Sequence, residues 1–319
     1  MWKYILKRFA MLIPVMMGTI LVVFFIMDQS NVDPAKIMLG DAATAENIAH
    51  LHQQLGLDDP FFVRYFRYLG NLLHGDLGIS YTYKTSVAGQ IASRLPNTVI
   101  LAGSGVFLTV IIGIPLGVIS AKHQFSIFDN VSTVFTLFGA AAPAFWVGLV
   151  LVMVFSQHLH LFPASGMGRG VVGLLKSLIL PAITLSLSGT ANVARTTRSS
   201  MLEVIRADYI DTARAKGTDE RTITIRHMLR NALIPVTTVV GLNFGVLLGG
   251  SVLTETVFAW PGIGRYVIES IKSQDIPSVL GCVVVLSILF TVVNLFVDIL
   301  YAYIDPRIKA QYKSAGGSK

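Results

Sequence analysis

The chain has almost no cysteine. Cys282 stands alone among 319 residues, which excludes a disulfide within the chain and a thiolate metal site. Its place in the last apolar run suits a small buried hydrophobe. Charge is scarce as well: 13% of residues are charged and 53% hydrophobic, with a mean hydropathy of +0.65. A water-soluble domain does not have this composition. The seven histidines lie in loops with no HExxH or Cys/His spacing, so His158 and His160, two residues apart, read as solvated rather than as metal ligands. No lysine follows a glycine anywhere, and the phosphate-cradling GxxxxGK[ST] pattern is therefore impossible. No nucleophile is paired with a base, and no catalytic residue is assigned.

What the chain does have is long apolar runs. Six candidate spans cover roughly 9 to 27, 98 to 120, 131 to 156, 174 to 194, 233 to 254 and 279 to 303, each near the ~20 residues a helix needs to cross the hydrocarbon of a bilayer. The period-2 alternation of a membrane barrel is absent. The expected fold is an all-α membrane protein with six transmembrane helices. The first run follows Lys3, Lys7 and Arg8 but exceeds a signal-peptide core, and Asp28-Gln29-Ser30-Asn31 offers no small-x-small cleavage site. It reads as an uncleaved first helix.

Basic residues set the orientation. The N-terminus, Lys122, the stretch from Arg195 to Arg230 and the C-terminus (Arg307, Lys309, Lys313, Lys319) hold 16 of the 25, whereas the long first loop, about 28 to 97, has five basic against seven acidic residues. Both termini are then expected in the cytoplasm. The formal charge of +7 is a topological signal with some attraction to the lipid membrane, and no interleaving of aromatic and basic residues points to nucleic acid.

Three features inside the spans have both packing and functional readings. Gly241, Gly245 and Gly249 recur every fourth residue, which lines one helix face for close packing or a subunit interface. Pro115, within Gly113-Ile114-Pro115-Leu116-Gly117, and Pro143, within Ala141-Ala142-Pro143-Ala144, mark kink sites. Asn294 and Asp298, four apart on the last span, share a face, and an intramembrane carboxylate needs a partner; pairing with an arginine of the 195 to 230 stretch is the favoured reading. In the first loop, Leu51, Leu55, Phe61, Phe62, Tyr65, Phe66, Leu69, Leu72 and Leu73 give helical spacing over 46 to 74, broken at Pro60. An amphipathic cap at the outer interface fits this pattern, with packing on its own bundle as the simpler account.

The most charged stretch carries Arg195, Arg198, Arg206, Arg214, Lys216, Arg221, Arg226 and Arg230. At its centre Asp211-Thr212-Ala213-Arg214-Ala215-Lys216-Gly217-Thr218 reads as a helix ending at a glycine and restarting on Thr218 as N-cap, with Asp219 and Glu220 in the new first turn. Two short helices meeting at such an elbow make a knob for a partner. Asp211, Ala213, Gly217 and Leu229 resemble the EAA loop of type I ATP-binding-cassette importer permeases (E-A-A-x-x-x-G-x9-I-x-L-P), with Asp211 standing for the glutamate. Thr212, His227 and Arg230 depart from that form in the manner of the dipeptide/oligopeptide/nickel branch, to which Asp208-Tyr209-Ile210 and Arg226-His227-Met228-Leu229-Arg230-Asn231-Ala232-Leu233-Ile234-Pro235 are also similar. Further similarity lies in Leu55-Gly56-Leu57-Asp58, Gly75-Asp76-Leu77-Gly78, Arg195-Thr196-Thr197-Arg198, Trp260-Pro261-Gly262-Ile263-Gly264 and Asp305-Pro306-Arg307. Together they resemble a B-type peptide permease.

That resemblance implies the type I ABC transporter permease fold, with a first helix and external loop over 1–93, a transmembrane domain over 94–305 holding the loop 195–235, and a cytoplasmic tail over 306–319. It implies that Asp211, Ala213, Arg214, Ala215, Lys216, Gly217 and Thr218 couple to an ATPase subunit. The implied partners are a second homologous permease subunit, two ABC ATPase subunits that carry ATP and Mg, an extracytoplasmic solute-binding protein and a peptide substrate. A nickel chelate or a glutathione-like peptide is the alternative cargo. An ATP-independent carrier or channel is the rival class, but it calls for midplane ion-coupling carboxylates and an internal repeat. Asp298 lies off-centre, and the two halves do not resemble each other.

Overall fold

A computed structural model of the chain describes residues 2–29 and 33–304. Among these residues there is no named strand, only an isolated bridge between Ile79 and Ser86. The helices are α1 (Trp2–Asp28), α2 (Pro34–Leu39), α3 (Ala45–Leu55), α4 (Phe61–Leu73), α5 (Val87–Lys122), α6 (Ile127–Ala141), α7 (Ala144–Leu151), α8 (Gly170–Ile205), α9 (Asp208–Ala215), α10 (Glu220–Thr222), α11 (Arg230–Gly250), α12 (Val252–Val257), α13 (Ile263–Lys272) and α14 (Ile276–Ile304). π-helical segments extend α7 over Val152–His158 and link α10 to α11 over Ile223–Leu229.

Five helical stretches are long and apolar enough to cross a membrane, or six if the bent pair α6 and α7 is one span. That pair corrects the expectation of a single third helix, because its two parts meet at 107°. Pro143 is the reason: Ala142 before it is extended, α7 starts immediately after it, and the ring leaves no N–H to continue the ladder. The fourth span is much longer than expected, since α8 continues for 36 residues past the apolar run to Ile205.

The described residues form two compact units, one within 1–98 and 261–291 and the other within 99–260 and 292–304. In the first unit, Ile20 and Phe24 of α1, Tyr65 of α4, and Leu280 and Val284 of α14 make one buried cluster. Phe24 meets the Phe61 ring edge-on at 5.4 Å, and the Tyr65 hydroxyl donates to the Met17 carbonyl at 3.0 Å. The amphipathic loop helices thus exist and break at Pro60, and α4 packs on its own bundle while Phe62, Phe66 and Leu73 stay exposed. A second cluster gathers Leu77, Val87, Ile91, Ile263, Tyr266 and Cys282, the cysteine being fully buried. Beside it the buried Asp275 carboxylate accepts from Ser80 Oγ at 2.5 Å and from the Tyr81 backbone N–H at 3.1 Å, tying the 76–86 segment to the start of α14.

In the second unit α8 lies against α6, α7 and α11. Close approach to α5 depends on Gly117, where a Cβ would sit 2.5 Å from the Ala194 carbonyl oxygen. The Gly113 to Gly117 stretch, read as a kink site, therefore serves helix contact, and α5 stays helical through Pro115.

Candidate functional site

The elbow is built by its own caps. α9 ends at Ala215 with Lys216 as its C-cap, and Gly217 takes φ +75°. The Gly217 N–H donates to the Arg214 carbonyl at 2.9 Å and the Thr218 N–H to the Ala213 carbonyl at 3.2 Å, the paired bonds of a Schellman motif. A side chain at Gly217 meets no neighbour, so the requirement there is conformational rather than steric. The new helix starts one residue later than the sequence reading has it. Asp219, not Thr218, is the N-cap, its carboxylate accepting from the Thr222 N–H at 2.9 Å. Hydrogen bonding from Thr222 holds the Asp219 carboxyl below its ordinary pKa.

Arg214 spans the bend. Its Nε donates to Glu220 at 2.8 Å and its Nη1 to Asp211 at 3.2 Å, so this guanidinium is used inside the elbow to fix the angle between α9 and α10. Lys216 and Arg221 are exposed, with no ion pair among the described residues. Ala213 is half-buried, while Asp211, Ala215 and Gly217 are exposed. Beneath them Ile210, Ile223 and Met228 pack with Ala121 of α5, Met201 of α8 and Ala232 of α11 in one buried cluster. The result is a polar, internally braced knob with an apolar root in three long helices. Close packing at the root ties the position of the knob to that of the three helices.

The other sequence candidates are not brought to this site. Gly241 packs on α14, where a Cβ would lie 2.2 Å from Val297 Cγ1; Gly245 is buried, and Gly249 is exposed to open space. Asn294 is buried on α14. The side chains of Asp298, Lys3, Lys7 and Arg8 and the segment 305–319 lie outside the described residues. His158 and His160 are exposed, and no group of three metal-binding side chains occurs among the described residues.

Sequence reading missed one constellation. Asp129, 2% exposed in the first turn of α6, receives Arg198 through Nε at 2.7 Å and Nη2 at 2.8 Å, Ser120 Oγ at 2.5 Å and the Phe125 N–H at 2.9 Å. A signal was present: Asp129 is the only acidic residue between Asp76 and Glu203, and Arg198 is the matching charge on the helix packed against α6.

These features define a helical membrane protein with a braced polar elbow between its long helices, and comparison with known proteins places it among permeases. The fold is similar to that of the inward-facing MetNI methionine ABC transporter in two crystal forms, with TM-scores of 0.54 and 0.55 at 16% identity over 68% of this chain and 97% and 96% of those chains. Residues 113–310 match the family described as binding-protein-dependent transport system inner membrane component, and residues 1–102 match its N-terminal counterpart. The chain is 41% identical to the dipeptide transport system permease DppB of Alkalihalophilus pseudofirmus, over 97% of this chain and all of that one. It is 40% identical to the oligopeptide transport system permease AppB of Bacillus subtilis, again over 97% of this chain and all of that one. Against DppB of Escherichia coli it is 38% identical over 97% of this chain and 99% of that one. The chain belongs to the binding-protein-dependent ABC transport permeases, in the branch that holds the dipeptide and oligopeptide permeases. It is a multi-pass protein of the inner membrane.

Proposed function

We propose that the chain is one half of the translocation pathway of an ATP-driven peptide importer, with both termini in the cytoplasm. A second homologous permease subunit completes the pathway, and a solute-binding protein outside delivers a dipeptide or oligopeptide. Two ATPase subunits carry ATP and Mg and hydrolyse the nucleotide; this chain transports and does not catalyse. The residues Asp211 to Thr218 dock on one ATPase subunit. The names of relatives at 38 to 41% identity over nearly full length support the peptide class. The observation that carries the coupling role is the elbow itself, capped at Gly217, braced by Arg214 and rooted on α5, α8 and α11.

The test is purification of the tagged chain in mild detergent from its native cells, with mass spectrometry of the recovered proteins and peptide uptake by the reconstituted assembly. A Walker-motif ATPase and a second permease are expected, with uptake dependent on ATP. Recovery of the chain alone, moving solute without ATP, would replace this reading with a carrier.

A further inference from the structure

We infer that Asp129 and Arg198 form a positioning latch that makes α5, α6 and α8 respond to the elbow as one block; this rests on the coupling role proposed for the elbow. The latch joins three elements on one carboxylate. Ser120 lies in the last turn of α5, Phe125 lies in the turn between α5 and α6, and Arg198 stands on α8 two turns before its end. The two arginine contacts form a planar fork, which fixes direction as well as distance. Phe125 adopts φ +63°, a left-handed conformation that a non-glycine residue holds only when its surroundings require it, and its N–H is one of the four donors. At the same level Gly117 brings α5 onto the α8 backbone.

The latch adjoins the root of the elbow. Ala121 follows Ser120, and Met201 lies one turn beyond Arg198; both belong to the buried cluster that holds Ile210 of α9. A push on α9 reaches Ala121 and Met201 through apolar contact. The ion pair then carries it to α6, which has no residue in that cluster. Burying such a pair contributes little net stability compared with an apolar contact of the same size, so stability alone does not account for it. A fixed relative orientation of three helices does.

The test uses the importer assembled with its ATPase, partner permease and binding protein in proteoliposomes. Subunit content, ATP hydrolysis and dipeptide moved per ATP are measured for Asp129→Asn, Arg198→Lys and Ser120→Ala. All three are expected to keep their subunits and hydrolyse ATP. Dipeptide per ATP should fall about tenfold for Asp129→Asn, less for Arg198→Lys, which keeps the charge and loses the fork, and least for Ser120→Ala. Unchanged transport per ATP in intact complexes of these variants would overturn the latch. If Asp129→Asn fails to assemble, Arg198→Lys and Ser120→Ala decide, and normal coupling in both would assign the pair to folding alone. The elbow reading fails separately, through normal uptake by Gly217→Leu.

Discussion

Two helical pairs flank the spans, and they use charge in different ways. The α3–α4 pair turns at Gly56 and Pro60 and ties its charges to itself and to its neighbours: Arg67 pairs with Asp59, Arg64 with Asp28 at the end of α1, and His52 bridges Asp58 and the α2 N-cap Asp33 at 2.9 Å each. On α4, Phe62, Val63, Phe66 and Leu73 face outward, whereas the exposed positions of α3 are largely polar, among them Glu46, Asn47, Gln53 and Gln54. The α9–α10 elbow has one internal brace, Arg214, and leaves Lys216 and Arg221 outward. An apolar outer face suits the membrane boundary, whereas a stiff polar knob suits a protein partner. The difference is that α4 packs on α1 and α14 while the elbow projects charge from a buried root, so under the proposed docking role damage to each should appear in different observables.

The largest expected effect is that of Gly217→Leu. A leucine forced into the left-handed region costs about 1 kcal/mol and redirects the elbow, so ATP-driven peptide uptake should vanish while the amount of chain in the membrane fraction is unchanged. Loss of the membrane-inserted chain instead would erase the distinction between docking and folding.

Asp275→Asn is next and acts in the first unit, between the 76–86 segment and the start of α14. It places an amide where the Tyr81 N–H and Ser80 Oγ donate, at a cost of about 2 kcal/mol. The melting temperature of the purified chain should drop, with transport per ATP kept in the molecules that remain folded. Arg214→Ala is milder. It frees α10 from α9 without removing the Schellman bonds, and uptake should fall about threefold, the scale of an exposed ion pair, with no change in melting temperature.

The smallest effect is one of pH. The hydrogen bond that His52 donates to Asp33, and then that to Asp58, raise the His52 pKa. Because the folded value lies above the unfolded one, the bridge stabilises α2 and α3 fully at pH below the unfolded value of about 6.5. That stabilisation is lost as pH rises through the folded value. Amide exchange in Ala45–Leu55 should therefore open more readily at high pH after correction for intrinsic rates, and His52→Gln should flatten that dependence.

Much of this architecture was legible in the sequence because composition and periodicity are local. The apolar runs located the spans, the break at Pro60 separated α3 from α4, and Gly217 marked the bend. Local signals failed where backbone geometry or a long-range contact decides. Thr218 is as good an N-cap residue as Asp219, and only the Schellman bond from its N–H back to Ala213 moves the cap along by one. Pro143 signalled a kink, but its 107° angle depends on the extended Ala142. The Asp129–Arg198 pair spans 69 residues, and no pattern within one helix joins its ends.

The central claim, that the elbow docks on an ATPase, is tested most directly by cross-linking from Lys216. With Cys282 replaced by serine, Lys216→Cys carries the only thiol and accepts a photoactivatable probe in native membranes. The account expects the probe to trap an ATPase subunit, in a yield that changes when ATP is added. Capture of lipid or of the permease alone, in membranes that still take up peptide on ATP, would contradict it.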